Sequence, residues 1–327
     1  MPKTLKPICA TIDPIAVAEF LNDQYSFNCT VKLLKAGVNH SYMVNNNDEE
    51  YVFRIYSLNW RSLTEIEAEV AYLNLLKEAN LPISYPILTT ANNFICTVNS
   101  VEGLRYGVLF SYAKGEKLLT FDKDLHFKVG QIMAEMHKVS LNKSIDRVSY
   151  NSGNLLDETF NYLPGFLPND TEQYKFLLKL KSYLTNVIES AKEEELRSGV
   201  VHLDIWFDNM NIAGDDITIF DFDFCGNGWL VYDLAYYIMQ VHSTEATPEE
   251  YELKVNSFLQ GYESVTKISA EERRLMPILG LAIYVFYVGV QCKRFDDWSN
   301  VFLNEMHLKR LIDLRIKRWF EFNKLIF

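Results

Sequence analysis

Between Val201 and Ala235 the chain reads VHLDIWFDNMNIAGDDITIFDFDFCGNGWLVYDLA, a stretch dense in oxygen-bearing side chains. Asp204 stands two positions after His202, and Asn209 five after Asp204. Asp221-Phe222-Asp223 follows beyond Gly214-Asp215, and Asp233 closes the set. Such groups suit phosphoryl transfer. A triphosphate brings several negative charges, and hard oxygen ligands on Mg²⁺ neutralise them. Asn209 and Asp221 can supply those oxygens. The attacking hydroxyl must be aimed at the γ-phosphorus and its proton accepted late. A carboxylate on a rigid loop does this, and Asp204 is placed for it.

These residues need an element that brings them together. Two short strands, near Asn209–Ile212 and Ile217–Phe220, turn at Gly214-Asp215 and return the chain beside its start. That hairpin carries Asn209 and Asp221 to one place. Neither H-x-D-x₄-N nor a lone Asp-Phe-Asp is specific, because Asp and Asn are ordinary turn and cap residues. The ordered combination, with the hairpin between, is specific.

The rest of the chain divides in two. Asp13 caps a helix that Pro14 opens. Strand-like runs follow at Asn28–Leu34, Ser41–Val44 and Tyr51–Tyr56, with Asn45-Asn46-Asn47-Asp48 as the last turn. Ser62–Lys77 is helical, with Leu63, Ile66, Val70, Leu73 and Leu76 on one face. Two more strands are expected at Asn93–Val98 and Tyr106–Ser111. Beyond Gly115 the pattern becomes helical: Asp124–Val139, a long helix Glu172–Leu196, and nearly everything from Leu230 onward. The natural division is residues 1–110, a hinge at 111–115, and residues 116–327.

Composition narrows the function. The net charge of −11 argues against nucleic acid or an anionic membrane as partner, since both reward clustered Lys and Arg. Five scattered cysteines without a CxxC speak against a zinc site or disulfide framework and for a reducing cytoplasm. Lys3 and Lys6 are not followed by an apolar run, so no secretory signal is expected. Pro277–Val290 is apolar but shorter than the roughly 18–20 residues that span a bilayer, and is expected to be a buried helix.

With these motifs in place, the chain resembles the aminoglycoside phosphotransferase and choline kinase family, small-molecule relatives of the protein kinases. The family's loop reads H-G-D-x₄-N, followed by a D-F-D-like motif and then D-L-A. The resemblance implies an α+β, protein kinase-like two-lobed fold: an N-terminal antiparallel sheet with one helix, and a mainly helical C-terminal lobe. It implies Asp204 as catalytic residue, Asn209 and Asp221 as Mg²⁺ ligands, and His202 and Asp233 as supports of the loop. Ala36-Gly37-Val38-Asn39-His40-Ser41 is similar to the phosphate-covering loop, and a plain hairpin turn is an equal reading of it. Arg54 stands where the family presents a Lys to the α- and β-phosphates. Glu69 looks like its ion-pair partner, with Glu65 as the fallback. Ser111 and Ala113 match linker positions whose backbone pairs with the adenine of ATP. Gly130-x-x-x-Ala134-x-x-His137 resembles the helix after the linker, with His137 read as a packed helix residue. Two departures stand out: Leu203 replaces the Gly of H-G-D, and Arg replaces Lys at position 54, which differs in shape and reach.

Three functions compete. The resemblance implies an ATP- and Mg²⁺-dependent phosphotransferase acting on a hydroxyl of a small molecule. A protein kinase on the same scaffold is disfavoured, because only eleven residues separate Asp221 from Asp233. That is too short for an activation segment. A nucleotide-binding module without turnover would need a lost catalytic group, and Asp204, Asn209 and Asp221 are all present. For the acceptor, Trp206, Asp208 and Asp223 are candidate contacts. Trp229, Tyr236, Tyr237, Tyr284, Tyr287 and Trp298 are candidate lining residues, although aromatics at helical spacing are mostly core. Aromatics beside carboxylates suit an amine or quaternary ammonium, and choline-like, aminoglycoside-like, amino-alcohol (homoserine-like) and sugar acceptors all stay open.

Overall fold

The computed structural model describes Leu5 and residues 7–327. Lys3 and Lys6, on which the reading of the N-terminus rests, lie outside the described residues.

The N-terminal part is an antiparallel sheet with two helices. Helix α1 (Pro14–Tyr25) begins where Asp13 accepts a hydrogen bond from the Ile15 amide. Strands β1 (Thr30–Ala36), β2 (His40–Asn46) and β3 (Glu49–Ile55) form a meander. The β2–β3 turn is tighter than expected, only Asn47-Asp48, with Asn47 at φ 56. Asn tolerates that left-handed conformation better than most residues. Helix α2 (Leu63–Glu78) starts at a capping box in which Ser62 and Glu65 bond each other's backbone. Strands β4 (Ile95–Asn99) and β5 (Leu104–Ser111) complete a five-stranded sheet of order β1-β2-β3-β5-β4. Its register puts Arg54 opposite Val108 on one side and Ser41 on the other.

The chain leaves β5 through a linker that locks onto the C-terminal part. Gly115 has φ 99, and a Cβ there would collide with the Ile212 carbonyl, so only glycine fits. Glu116 and Ile212 then exchange backbone hydrogen bonds. Helix α3 (Lys123–Ser140) follows, then α4 (Glu158–Tyr162) and α5 (Glu172–Glu189). A Cβ on Gly130 of α3 would strike the Phe258 carbonyl, so the glycine permits the close crossing of α3 with the later helix that carries Phe258.

Helix α5 ends seven residues before the expected Leu196. Past Ser190 the chain turns away, and the Lys192 amide donates to Glu271 instead of continuing the helix. It then enters β6 (Ser198–Val201), which no sequence pattern announces. The functional stretch is two nested hairpins. The inner one pairs β7 (Met210–Ala213) with β8 (Asp216–Ile219), and the outer one pairs β6 with β9 (Gly226–Trp229). Both loops bearing the acidic residues therefore leave from the same end of a small scaffold.

Helices α6 (Val231–Thr244), α7 (Pro248–Glu263) and α8 (Ala270–Lys293) pack beneath. Helix α8 is 24 residues long, more than the sequence reading allows, and is apolar enough to cross a membrane. Most of its apolar window is buried inside the protein, which makes it a core helix here. Helices α9 (Glu305–Leu311) and α10 (Arg318–Phe322) close the chain, joined by a π-helical turn at Ile312–Lys317. One apolar core runs from α2 through all these helices, and a second fills the space between α1 and the sheet.

Candidate active site

The loop after β6 is held by a buried polar chain. Asp233, at the start of α6, accepts hydrogen bonds from the amides of His202 (2.9 Å) and Leu203 (2.6 Å). His137 of α3 bonds the same carboxylate at 2.9 Å and Tyr262 at 2.8 Å. His137 is thus more than the packed helix residue its position suggests. His202 accepts from the Asp204 amide through Nδ1, and its Nε2 donates to the Phe220 carbonyl at 3.2 Å. It ties the loop to the end of the inner hairpin.

Leu203 explains why this loop favours glycine. Its φ is 66, and its amide points at Asp233. The loop keeps its shape despite the side chain, at a strain of about 1–2 kcal/mol. Complete burial of the leucine side chain offsets that strain.

Asp204 stands half-buried at the end of the loop. Its Oδ2 accepts from Asn209 Nδ2 at 2.7 Å, and its Oδ1 accepts from the Tyr236 hydroxyl at 3.0 Å. Burial, then the nearby charge of Asp221, pushes its carboxyl up to about 8, while the hydrogen bonds pull the other way. Asp221 has φ 66 and an exposed edge, and its Oδ1 accepts from Arg54 at 2.9 Å. Asn209 Oδ1 and Asp221 Oδ2 accept no hydrogen bond among the described residues.

Arg54 forms a bridge. One guanidinium nitrogen reaches Glu69 at 3.0 Å, and the other reaches Asp221. Glu69 is fully buried and also takes hydrogen bonds from Arg147 and Tyr56, each at 3.0 Å. Glu65, the fallback partner, is spent on the α2 cap. The fork divides the two contacts between separate nitrogens, which a lysine would have to make from a single one.

Two cavities meet here. The first, about 440 Å³, lies under the sheet and is lined by Met43, Val52, Leu73, Phe110, Ala113 and Phe222 among others. The linker borders it. Ser84 and Asn211 donate to the Ser111 and Ala113 carbonyls at 2.5 and 2.6 Å, and the Ala113 amide has no protein partner among the described residues. The second cavity, about 350 Å³, is lined by Asp204, Trp206, Tyr236, Tyr284, Tyr287 and Trp298, with further residues from α8 to the C-terminal helices. Lys35, Ser41, Arg54, Asn209 and Asp221 border both. Gly37, Val38 and Asn39 line the second cavity, so the β1–β2 loop overhangs that side.

The structure separates the remaining candidates. Asp208 lies at the mouth, paired with Lys117 at 2.7 Å and Lys35 at 3.4 Å. Asp223 borders the second cavity, but its carboxylate is committed. Trp60 donates to it at 2.7 Å and Arg61 flanks it; burial pushes its carboxyl up, but the charges of Arg61, Arg147 and Arg54 hold it well below the usual carboxylate range. Trp229 and Tyr237 are not on the wall. Trp229 stacks on Tyr232, and Tyr237 is buried against Phe258 with its hydroxyl on His126. Lys35, Lys117, Arg61 and Arg147 escape the sequence reading. Lys35 adjoins the Ala36–Ser41 loop and could have been suspected; Arg147 lies in an irregular segment with no pattern around it.

A family model described as the phosphotransferase enzyme family matches residues 30–268, most of the chain, and the chain belongs to that family. Together with the protein kinase-like fold, this makes the chain a phosphotransferase. An uncharacterized protein of Synechocystis sp. is 26% identical over 322 residues, covering 94% of this chain and 85% of its own length. Among solved structures, a microcompartment-associated aminopropanol kinase superposes with a TM-score of 0.76 at 18% identity, over 95% of this chain and 99% of its own. An amicoumacin kinase in complex with AMP-PNP, Ca²⁺ and Ami gives 0.75 at 19% identity, over 92% and 94%.

Proposed function

We propose that the protein transfers the γ-phosphoryl group of ATP, with Mg²⁺, to a hydroxyl of a small molecule. The observation that carries this reading is the pair of cavities meeting at two free hard oxygens, Asn209 Oδ1 and Asp221 Oδ2. The donor chemistry fits Mg²⁺, which takes one or two protein oxygens and the rest from phosphates and water. Accordingly, no cluster of three His, Cys, Asp or Glu side chains is needed, and none occurs among the described residues. The bound metal supplies charge neutralisation on the phosphates.

The chain's own residues do the rest. The Ala113 amide faces the first cavity from the linker and receives the adenine edge. The Ser111 carbonyl, although held by Ser84, keeps a second lone pair for it. Arg54, fixed by Glu69, would present its other guanidinium nitrogen, now on Asp221, toward the phosphates. Asp204 orients the acceptor hydroxyl in the second cavity and accepts its proton as the new bond forms. His202 and Asp233 hold that carboxylate in register. Trp206 contacts the acceptor, and Asp208 sits at the mouth between Lys35 and Lys117.

Cavity size favours a small acceptor over a protein. Between Asp221 and Asp233 the chain is consumed by one tight turn and β9, with no open platform for a polypeptide. The aminopropanol kinase and the aminoglycoside phosphotransferases among its structural neighbours support amino alcohols and aminoglycoside-like compounds as the classes to try first. Five free cysteines fit a reducing cytoplasm. The test is ADP release across amino alcohols, sugars and aminoglycosides, with Asp204→Ala as control. Acceptor-dependent release by the wild type alone is expected. ATP binding without release for any acceptor would favour a non-catalytic module.

A further inference from the structure

The second cavity has an end that phosphoryl transfer does not use. Away from Asp204 its wall is made by Gln240, Tyr284, Leu311 and Arg315. A line of side chains runs between the two ends. The Tyr236 hydroxyl bonds Asp204, the Tyr236 and Tyr284 rings lie 5.9 Å apart, and the Tyr284 hydroxyl donates to Gln240 at 3.1 Å. Arg315 and Asp204 are both near enough to Tyr284 for their charges to act on its hydroxyl, and all three line the same cavity.

Arg315 differs from the other cations of this wall. Lys35 is paired with Asp208, Arg54 with Glu69 and Asp221. Among the described residues Arg315 has no ion-pair partner, and its Nη1 is shut away from solvent without a hydrogen bond. A guanidinium keeps its charge wherever it sits, and its planar fork matches a carboxylate. The backbone around it is unusual too. Arg315 lies inside the π-helical turn Ile312–Lys317, a wide turn that re-aims side chains and recurs at functional sites. The turn keeps Ile312 and Ile316 in the core while Leu311 and Arg315 face the cavity.

We propose that the acceptor carries a carboxylate at the end remote from its reacting hydroxyl, and that Arg315 binds this group. The acceptor class is then a small hydroxy acid or hydroxy amino acid, with its middle against the tyrosine rings. The hydroxyl end of this assignment rests on the phosphotransferase reading above; the Arg315 end does not.

Matched probes test it. Homoserine and serine differ from aminopropanol and ethanolamine by the carboxylate alone, and glycerol phosphate against glycerol provides a phosphate arm. Binding is read from tryptophan fluorescence, since Trp206 and Trp298 line the cavity, in the presence of ADP and Mg²⁺. A carboxylate-bearing probe is expected to bind about tenfold or more tightly than its counterpart. The advantage disappears in Arg315→Met and returns in part in Arg315→Lys. Equal binding within the carboxylate pairs, no binding by any carboxylate probe, or a preference that survives Arg315→Met overturns the proposal. So does a preference confined to glycerol phosphate, which would assign the site to phosphate esters. ADP release measured alongside separates the two readings. Release with carboxylate-free acceptors alone keeps the kinase and removes the carboxylate site. Arg315-dependent binding without release for any acceptor does the reverse.

Discussion

The two cavities are built from different material. The first is roofed by a sheet and edged by linker backbone, and its charged side chains arrive already paired, Arg54 with Glu69 and Lys35 with Asp208. The second shares Lys35, Arg54, Asn209 and Asp221 with the first, but its far wall comes from helices late in the chain and adds tyrosine hydroxyls, glutamines and two groups without an ion-pair partner among the described residues, Asp204 and Arg315. One wall recognises through backbone and pre-set ion pairs, which depend little on local side-chain choice. The other recognises through individual side chains, each free to differ between relatives. On the proposed reading, the nucleotide belongs with the first wall and the acceptor with the second.

The largest expected effect divides the cavities most cleanly. Asp204→Ala should lower turnover by about a thousandfold or more, with nucleotide affinity unchanged. Single-turnover kinetics and nucleotide titration check both halves, and loss of nucleotide binding in a folded variant would erase the division. Glu69→Gln should act on the first cavity through stability. It leaves the buried Arg54 and Arg147 short of their shared anion, and chemical denaturation should show a loss of about 3 kcal/mol. Asp221→Ala belongs to both cavities. Roughly a hundredfold weaker nucleotide binding is expected in Mg²⁺ but little change in EDTA, as calorimetry would show. Equal loss in both conditions would remove Asp221 from the metal.

A smaller effect concerns pH. In the metal-free protein Asp204 holds its proton up to about 8, whereas in the unfolded chain it loses it near 4. The folded state therefore binds the extra proton between those values, and stability falls as pH rises through them. Asp204→Asn lacks this penalty. Its melting temperature in EDTA should exceed that of the wild type, by more at pH about 9 than at pH about 5. Smallest of all is Leu203→Gly. Relief of the left-handed strain and loss of a buried side chain oppose each other, leaving a net change within about 1–2 kcal/mol by denaturation.

Much of the architecture is legible in the sequence because local rules dominate it. Helix α2 declares its cap and its apolar face, and the β7–β8 hairpin declares its turn. The meeting of Asp204, Asn209 and Asp221 follows from that hairpin. Strand β9 is not legible, since Gly226-Asn227-Gly228-Trp229 has no strand composition, and only pairing with β6 makes it extended. The end of α5 depends on Glu271, more than seventy residues away. Aromatics are ambiguous for the same reason. Tyr236 and Tyr237 are neighbours on α6, yet one touches Asp204 and the other is core. Arg315 is invisible to any local pattern, because its proposed role comes from a π-turn and a cavity walled by α6, α8 and α9.

The account turns on where the metal and the phosphates sit. A crystal structure with a non-hydrolysable ATP analogue and Mg²⁺ tests this directly. The prediction is adenine against the Ala113 amide, the metal about 2.0–2.1 Å from oxygens of Asn209 and Asp221, and the γ-phosphate facing Asp204 across the junction. A nucleotide bound outside the first cavity, or a metal held by neither residue, would contradict it.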